Sequence, residues 1–445
     1  MAPFESILVA NRGEIALRII RTCREMGIRT VAVHSTADRD SSVLTAADDV
    51  IQIGPAAARR SYLSSAAVVE AALRTGVQAV HPGYGFLSED PDFAEICAEN
   101  GLVFIGPRPE VLAMLGDKAR ARELMAAAGL PVLPGSAGAV ESAAEVTDLA
   151  DRIGYPLIIK AAAGGGGRGM SVVRDRRDLL ATYRSTRAAA QAVFQDSSVY
   201  LERFVDNARH VEVQILADNH GTVLDLGNRD CSVQRRHQKL VEESPAPNLP
   251  DGLADEMARA AVNGARAVGY TGAGTFEFLV HGNEFTFMEI NCRIQVEHPV
   301  TEAVTGIDLI REQIRVAAGL PLSIGRPAPN GVAIECRINA EDPDRDFAPC
   351  PGLLDEFVLP GGPFIRVDTY ARAGWRIPSD YDSLLAKVVA WAPDRAQALA
   401  RIDRALGELQ VRGRGVRTTR ELLREVVTDP VFRAARHDTS FLDER

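Results

Sequence analysis

The sequence predicts a protein of several domains, with an α/β domain at the N-terminus and α+β domains after it. Three observations support this prediction. The chain has 445 residues, which is too many for one ordinary hydrophobic core. Apolar strands alternate with helical patterns over the first hundred residues, and strands predominate from residue 206 onward. Strand–helix alternation is typical of a parallel sheet covered by helices on both faces.

The first domain is predicted at residues 1–115. The segments SILVAN, TVAVHS, AVHPGYG and LVFIG are typical of buried strands, whereas GEIALRIIRTCREMG and AVVEAALRTGV have helical spacing. A helical stretch begins at Pro107, carries Lys118 and ends at AAGLPVLPG. Residues 116–130 are therefore predicted to form a helical linker.

A small α+β module is predicted at residues 131–205. The segment YPLIIKAAAGGGGRGMSVV indicates a strand, a glycine-rich loop and a second strand, followed by a helix and the strand SVYLERFV. The remaining residues, 206–445, predict a strand-rich C-terminal domain that contains strands such as HVEVQILAD, GTFEFLV, EFTFMEIN and GVAIECRIN. Its helices are predicted near residues 253–268, 307–318, 394–409 and 417–426.

The composition excludes several classes of function. The formal net charge of −10 opposes non-specific binding to nucleic acid. No apolar run reaches 18 residues, and the N-terminus lacks the regions of a signal peptide. The six cysteines are scattered without a Cys-x-x-Cys pair, which argues against a zinc site and a disulfide scaffold. We therefore expect a cytoplasmic protein that binds neither nucleic acid nor a membrane.

Lysine is scarce in this sequence. Only four of the 50 Lys and Arg residues are lysines. Because most positions that need only a positive charge carry Arg here, the surviving lysines indicate positions where the compact ammonium group itself matters. Chance survival on a solvated surface is the alternative interpretation. The four residues are Lys118, Lys160, Lys239 and Lys387.

The glycine-rich segment GGGGRG, residues 164–169, predicts a backbone flap over phosphate groups. It leads into the strand MSVV instead of a helix, which excludes a dinucleotide fingerprint, and no Gly-Lys-Ser/Thr closes it as in a P-loop. Protein-kinase motifs are absent. Glycine lets backbone N–H groups approach phosphates closely, and Lys160 would add positive charge beside the loop. A flexible linker is the alternative.

Two neighbouring strand segments predict a magnesium site. Glu277 in GTFEFLV and Glu289 in FMEIN would face each other across a sheet, and two carboxylates that close repel unless a cation lies between them. Mg²⁺ prefers oxygen ligands, which one or two carboxylates and substrate phosphates supply. Asn291 adds an amide oxygen on the same strand face. Surface acids on an edge strand are the alternative.

Two further segments indicate anion chemistry. The basic run RDCSVQRRHQK has three interpretations: a solvated basic face, a nucleic-acid site and a pocket for a small anion. The presence of the rare Lys239 in this run would be explained by the anion pocket. In IECRIN, Glu335, Arg337 and Asn339 share one face of a strand. An arginine beside anions can stabilise developing negative charge, whereas a surface salt bridge is the alternative for Arg337.

Together these motifs resemble a known family. The strings involved are ANRGEIALRI, HPGYGFLSE, GGGGRGM, RDCSVQRRHQK, AGTFEFL, NCRIQVEHPVTE and ECRINAEDP. They resemble the ATP-grasp superfamily and, within it, biotin carboxylase, the ATP-dependent component of carboxylases such as acetyl-CoA carboxylase. The resemblance runs along nearly the whole chain. It implies an ATP-grasp fold in which residues 131–205 form the lid and residues 206–445 include the biotin carboxylase C-terminal subdomain.

The resemblance also implies roles for individual residues. Glu297 matches the general base, and the other catalytic residues would be Arg293, Lys239 and Arg337. Bicarbonate would contact Lys239, Arg293, Gln295 and the backbone of Val296. Biotin would contact Arg337 and Tyr84. A metal ion, Mg²⁺ or Mn²⁺, would bind Glu277, Glu289 and Asn291. ATP would contact Lys118, Lys160, Gly166, Gly167, Glu202, Arg203, Val205, His210, Gln234, His237, Glu277 and Glu289.

The implied reaction is carboxylation of biotin by bicarbonate and ATP through carboxyphosphate. The family's biotin acceptor is a lysine next to a methionine, and none of the four lysines here has a Met neighbour. We therefore expect two partners, a separate biotin carboxyl carrier protein and a carboxyltransferase subunit, with a homodimer and fatty acid biosynthesis expected by analogy. Three departures from the family pattern remove no catalytic group: Ala163 replaces a glycine, Cys292 a threonine and Arg203 a lysine.

Two rival functions stay open at this point. The first is another bicarbonate-activating ATP-grasp ligase, of carbamoyl-phosphate type, which would act on an amine. The second is a non-catalytic nucleotide-binding scaffold. The intact set Lys239, Arg293, Glu297 and Arg337 weighs against the scaffold.

The segment EINCRIQVEHP, residues 289–299, sets a geometric condition on the site. Its alternation places Glu289, Asn291 and three further polar residues, up to Glu297, on one strand face. Eight extended steps at ~3.3 Å each would span about 26 Å, too far for one triphosphate and one bicarbonate. We therefore predict that the chain leaves the strand soon after Asn291 and curls back toward the phosphates.

Overall fold

The structure, a computed structural model, describes residues 2–136, 138–162 and 169–443. Its N-terminal domain contains the parallel strands β1 (Ser6–Val9), β2 (Arg29–Ser35), β3 (Asp49–Gly54), β4 (Ala79–His81) and β5 (Val103–Phe104). They form a sheet in the order β3-β2-β1-β4-β5. The connecting helices are α1 (Gly13–Glu25), α2 (Ser42–Ala46), α3 (Ser65–Thr75) and α4 (Pro91–Glu99). The predicted parallel sheet is confirmed.

Alternate side chains of β1 enter the cores on the two faces of this sheet. Ile7 and Val9 pack in one cluster with Ile15 of α1, and Leu8 packs in another with Phe93 of α4. Burial on both faces explains why the strand is a continuous apolar run. The sequence analysis missed β3 and α4. β3 lies at the sheet edge and is largely exposed, so it has no such run.

Two helices replace the single helical stretch that the sequence predicts after Pro107. They are α5 (Pro109–Gly116) and α6 (Lys118–Ala127). The helix is interrupted at Asp117. The carboxylate of Asp117 accepts hydrogen bonds from the backbone N–H groups of Ala119 and Arg120 and so caps α6. Lys118 is therefore the first residue of a helix, and the cap fixes the direction in which its side chain leaves the backbone.

In its described residues, 131–136, 138–162 and 169–205, the small module contains a three-stranded antiparallel sheet and two helices. Its elements are α7 (Ala143–Ile153), β6 (Leu157–Ala161), β7 (Met170–Val173), α8 (Leu179–Phe194) and β8 (Val199–Arg203), and the strand order is β7-β6-β8. The module has a hydrophobic cluster of its own, which includes Val146, Ile159 and Leu201. Gly166, Gly167 and Ala163 lie outside the described residues.

The large sheet of the C-terminal domain carries most of the candidate site. Its antiparallel strands are β9 (Arg209–Ala217), β10 (Val223–Arg235), β11 (Gln238–Ser244), β12 (Gly272–His281), β13 (Glu284–Asn291), β14 (Val332–Asn339), β18 (Ile365–Thr369) and β19 (Leu384–Ala392). The short strands β15 (Glu341–Asp342), β16 (Ala348–Pro349), β17 (Glu356–Val358) and β20 (Gln410–Arg412) pair outside it. Within the described residues, its order is β13-β12-β9-β10-β11-β14-β19-β18.

The helices of this domain pack on both faces of the sheet, and polar groups occupy part of one face. The helices are α9 (Leu253–Ala267), α10 (His298–Thr305), α11 (Leu309–Ala317), α12 (Arg395–Glu408), α13 (Arg420–Thr428) and α14 (Pro430–Arg433). On β9, Val211 and Val213 pack in the same hydrophobic cluster as α9. The alternate residues His210 and Glu212 therefore face the opposite side of the sheet. On this strand, the alternation of side chains therefore separates the residues of the hydrophobic core from those of the candidate site.

The structure also bears on the predictions from composition. Across residues 2–136, 138–162 and 169–443, no helix combines the length and the apolar character that a membrane span requires. All six cysteines are free thiols.

Candidate functional site

A cleft of about 1310 Å³ lies between the N-terminal domain, the small module and the large sheet. Nearly every predicted site residue that the structure describes lines this cleft, including Tyr84 from the N-terminal domain and Lys160 from the small module. The exception is Glu202, whose carboxylate accepts a hydrogen bond from Lys160 at 2.5 Å. The residues singled out in separate segments of sequence are thus brought together in one place.

The two carboxylates expected to hold a metal ion stand opposite each other. Glu277 on β12 and Glu289 on β13 are paired in register, as predicted. Asn291 donates a hydrogen bond to Glu277 at 2.8 Å. Glu289 lies 2.8 Å from the Lys118 ammonium, and Glu277 lies 2.9 Å from His210. Two carboxylates and an amide oxygen form a donor set that fits Mg²⁺, whose charge would replace these cationic contacts.

The ammonium group of Lys239 lies among three carboxylates. Its Nζ atom is 2.6 Å from Glu212, 2.9 Å from Glu277 and 2.6 Å from Glu297. Burial lowers the pKa of Lys239, but the attraction of the three carboxylates outweighs burial and holds this pKa well above its usual value. Lys239 is therefore a permanent cation at the centre of the site.

Glu297 lies between two cations. Its Oε1 atom accepts a hydrogen bond from Lys239, and its Oε2 atom lies 3.0 Å from the guanidinium of Arg337. Burial raises the pKa of Glu297, but Lys239 and Arg337 outweigh burial and hold this pKa far below its usual range. The carboxylate is thus ionised at neutral pH, with both oxygens engaged.

The chain leaves the strand at Asn291, as the distance argument predicts. β13 ends there, and α10 begins after residues 292–297, which form a turn. Gln295 donates a hydrogen bond to Glu277 at 2.7 Å, which brings the turn back over β12. The prediction that the chain curls back, instead of continuing as a straight strand through Glu297, is confirmed.

Several residues expected to contact ATP line the side of the cleft that the small module and the strands after it form. Lys160 is held by Glu202, and Gln234 lies 3.5 Å from His210. The side chain of Arg203 donates to the carbonyl of Ile153 and also borders the cleft. The other expected residues that line this side are Val205 and His237.

Arg229 organises the side chains beneath Lys239, although the sequence analysis assigned it no role. It is completely buried, and its guanidinium donates hydrogen bonds to Glu212, Gln214, Thr275, Gln295 and Thr301. It therefore fixes both a partner of Lys239 and a residue expected to bind bicarbonate. The sequence signal that could have identified Arg229 is its position inside an otherwise buried strand. Burying a charge is costly unless the charge is fully paired.

Two further carboxylates that the sequence analysis missed hold the arginines of the site. Glu89 accepts a hydrogen bond from Arg293 at 2.8 Å, and Glu242 accepts one from Arg337. Burial raises the pKa of Glu242 to about 7, although Arg337 opposes this shift. Glu89 belongs to the N-terminal domain, so no pattern within one segment indicates its contact with Arg293.

The chain matches known proteins along its length. The matching family descriptions are "Biotin carboxylase, N-terminal domain" (residues 3–112), "Carbamoyl-phosphate synthase L chain, ATP binding domain" (117–324) and "Biotin carboxylase C-terminal domain" (335–444). A biotin carboxylase from Nostoc sp. is 50% identical over 444 residues, 99% of each chain. A pyruvate carboxylase subunit from Methanothermobacter thermautotrophicus is 46% identical over 443 residues, 99% of this chain and 90% of that one.

Two solved structures are also similar. A biotin carboxylase–β,γ-ATP complex from Campylobacter jejuni has a TM-score of 0.97 and 45% identity, and 99% of each chain is covered. A biotin carboxylase domain dimer of Hydrogenobacter thermophilus 2-oxoglutarate carboxylase, with MgADP, ADP and bicarbonate, has a TM-score of 0.96 and 43% identity. That match covers 99% of this chain and 97% of the other.

These matches follow the order of the three parts of the fold, and they define the class as ATP-grasp enzymes, which are ATP-dependent ligases. Half of the residues are identical to those of a biotin carboxylase along virtually the full chain. The chain belongs to the biotin carboxylase family. The predicted family, fold class and ligase activity are confirmed.

The position of Glu242 predicts a dependence of stability on pH. Its pKa is about 7 in the folded chain and near 4.5 when exposed, so its protonation stabilises the fold below pH 4.5, and this contribution is lost as the pH rises to 7. Glu242→Gln stays neutral and keeps an oxygen for Arg337. Relative to the unmodified chain, its melting temperature should rise by about 3 °C between pH 5 and pH 8.

Melting curves at several pH values test this prediction. Glu284→Gln, which changes an exposed acid on β13, is the control and should show a constant difference from the unmodified chain. A constant difference for Glu242→Gln as well would contradict the expected ionisation of Glu242.

Proposed function

We propose that this chain carboxylates biotin with bicarbonate and ATP, and that the residues around Lys239 carry out the chemistry. The observation that supports this proposal most directly is the position of Glu297 between Lys239 and Arg337. It offers a carboxylate as a base, with a permanent cation on either side to receive an anionic substrate. A scaffold that only bound nucleotide would have no use for these buried charges, which are costly to bury.

Bicarbonate would enter between these cations. We propose that Lys239, Arg293, Gln295 and the backbone of Val296 bind it, while Glu297 removes its proton. With a pKa far below its usual range, Glu297 is a weak base in the structure described here. An anion that takes over the contacts of Lys239 and Arg337 removes the groups that depress this pKa, so bicarbonate would itself make Glu297 a stronger base.

The deprotonated bicarbonate oxygen would attack the γ-phosphorus of ATP. The bond from phosphorus to the β-phosphate oxygen breaks, ADP leaves with that oxygen, and carboxyphosphate forms. Positioning and charge neutralisation carry most of phosphoryl transfer. Lys118, Lys160, His210 and Gln234 border the region proposed for the nucleotide, and the loop with Gly166 and Gly167 would cover its phosphates.

Glu277, Glu289 and Asn291 would hold Mg²⁺, or Mn²⁺ in its place. A bound divalent cation supplies charge neutralisation at the β- and γ-phosphate oxygens. Lys118 now pairs with Glu289, and Lys239 and His210 pair with Glu277. With a metal ion held by the carboxylates, Lys118, His210 and Lys239 would be free to contact the phosphates and bicarbonate.

Carboxyphosphate would then break down to CO₂ and phosphate beside biotin. The phosphate takes the proton from the ureido nitrogen of biotin, and the resulting enolate anion attacks CO₂ to give carboxybiotin. We propose that Arg337 stabilises the enolate and that Tyr84 contacts the biotin ring. Water would hydrolyse these intermediates, so we expect residues 131–205 to close over the cleft during the reaction.

The biotin is proposed to be carried by a biotin carboxyl carrier protein, and a carboxyltransferase would receive the carboxyl group. We also propose a homodimer, in line with the biotin carboxylase domain dimer of Hydrogenobacter thermophilus. A cytoplasmic location agrees with six free thiols. For the acceptor we propose acetyl-CoA, and hence fatty acid biosynthesis, although relatives are also named for pyruvate and 2-oxoglutarate carboxylases.

Bicarbonate-dependent ADP release tests the substrate. We expect free biotin to increase the rate, because carboxybiotin formation removes carboxyphosphate. The experiment compares release with ATP and bicarbonate alone, with added biotin, and with added ammonia. Stimulation by ammonia but not biotin would favour the carbamoyl-phosphate type of ligase, for which one of the matching domains is named.

Glu297→Gln tests the proposed base. The amide keeps the size of the side chain but cannot take a proton, so we expect bicarbonate-dependent turnover to fall by about 10²–10⁴-fold. ATP affinity, measured by calorimetry, should stay within about twofold, because Glu297 lies on the bicarbonate side. The control Glu284→Gln should leave both unchanged. Turnover close to that of the unmodified enzyme would remove Glu297 from the role of base.

A further inference from the structure

Of the four lysines in the chain, Lys387 has no role in the reaction described above. It lies in the middle of β19, and its side chain is completely buried. Its Nζ atom donates to the backbone carbonyl of Val296 at 2.8 Å and lies 3.0 Å from the carboxylate of Glu14. A buried ammonium is costly unless its hydrogen bonds are satisfied. Both of these acceptors border the cleft, whereas Lys387 itself does not.

The contact with Val296 bears directly on Glu297. The carbonyl of Val296 and the N–H of Glu297 belong to one planar peptide group, so a bond to this oxygen fixes the plane that immediately precedes the Cα atom of Glu297. This peptide lies in the turn 292–297, outside any strand. Lys387 thus ties the turn to the rigid β19. Small displacements of a reacting group have large effects on rate, so this restraint matters for the proton transfer.

The contact with Glu14 leads to the other side of the cleft. Glu14 lies in the first turn of α1, and the carboxylate oxygen that contacts Lys387 also accepts a hydrogen bond from the hydroxyl of Tyr84. Burial raises the pKa of Glu14, and Lys387 opposes this shift. The lysine therefore favours the ionised form of Glu14, which is the stronger acceptor for Tyr84.

Two other acids lie near Lys387, but no hydrogen bond joins either of them to its ammonium group. Asp368 lies 4.0 Å away and has a closer partner in Arg366, at 2.7 Å. Glu335 is completely buried, and burial raises its pKa well above its usual value, while Lys387 opposes this shift. The short contacts of Lys387 are those with Val296 and Glu14.

We propose that Lys387 is a positioning residue for both halves of the reaction. It holds the Val296–Glu297 peptide on the bicarbonate side and, through Glu14, the Tyr84 hydroxyl on the biotin side. The single ammonium group thereby sets the distance between the proposed bicarbonate site and the proposed biotin site. This inference rests on the proposed roles of Glu297 and Tyr84.

Lys387→Met tests the proposal, because Met has a similar length and no N–H donor. We expect the KM for bicarbonate to rise about tenfold and the KM for free biotin to rise with it, while the KM for ATP stays within about twofold. A merely structural lysine would reduce the yield of folded enzyme and leave all three KM values unchanged. The split between the substrates is therefore the readout.

Arg395→Met is the matched control. Arg395 forms a largely buried ion pair with Glu243 at 2.7 Å in the same domain, away from the turn 292–297. We expect its loss to lower the melting temperature without changing any KM. A rise in the bicarbonate KM of Arg395→Met equal to that of Lys387→Met would overturn the proposal, because any weakening of the domain would then have the same effect.

Two further variants keep the test decisive. If Lys387→Met folds poorly, the double variant with Glu14→Gln also removes the carboxylate charge that contacts Lys387 and should show the same rise in the bicarbonate KM. An unchanged bicarbonate KM, or a loss of ATP binding in both forms, would overturn the proposal. Glu297→Gln is measured in parallel. If it stays active, the assignment of the base is wrong; if it is inactive while Lys387→Met has normal KM values, only the inference on Lys387 is wrong.

Discussion

The arrangement of the cleft depends on the ion pairs between Lys239 and the three carboxylates around it. Glu212 comes from β9, Glu277 from β12 and Glu297 from the turn after β13, so one ammonium group fixes three elements. Burying these four charges is expensive, and only their mutual attraction and further hydrogen bonds, such as those from Arg229, offset the cost. The site is thus assembled before any substrate binds.

The large antiparallel sheet is what makes such a dense group of charges tolerable. Strands such as β9 and β12 direct one set of side chains into the core with α9, and alternate side chains such as Glu212 and Glu277 meet at Lys239. The backbone groups are already paired in the sheet, so the side chains can be committed to one another. The small module has a separate core, and its movement over the cleft would require no repacking of the sheet.

The sequence predicts those parts of this arrangement that depend on residues close together in the chain. The parallel sheet, the pairing of Glu277 with Glu289 and the turn after Asn291 all follow from periodicity or chain length, which are local properties. The contact between Glu89 and Arg293 joins residues 204 positions apart in two domains, and no local pattern encodes it. Periodicity places Glu335 beside Arg337 on one strand, but it does not predict the desolvation that raises the pKa of Glu335.

The scarcity of lysine has a practical consequence for chemical labelling. Apart from the N-terminal amine, the only primary amines in the chain are the four lysine side chains. Three of them line the cleft with partly exposed side chains, and the fourth, Lys387, lies sealed behind it. Besides the N-terminal amine, an amine-selective acylating reagent would therefore meet only amines of the cleft, and Lys118 and Lys239 should react slowly while their carboxylate partners keep them protonated. Mass spectrometry of the acylated enzyme would report directly on occupancy of the cleft, with Lys387 as an internal standard for unfolding.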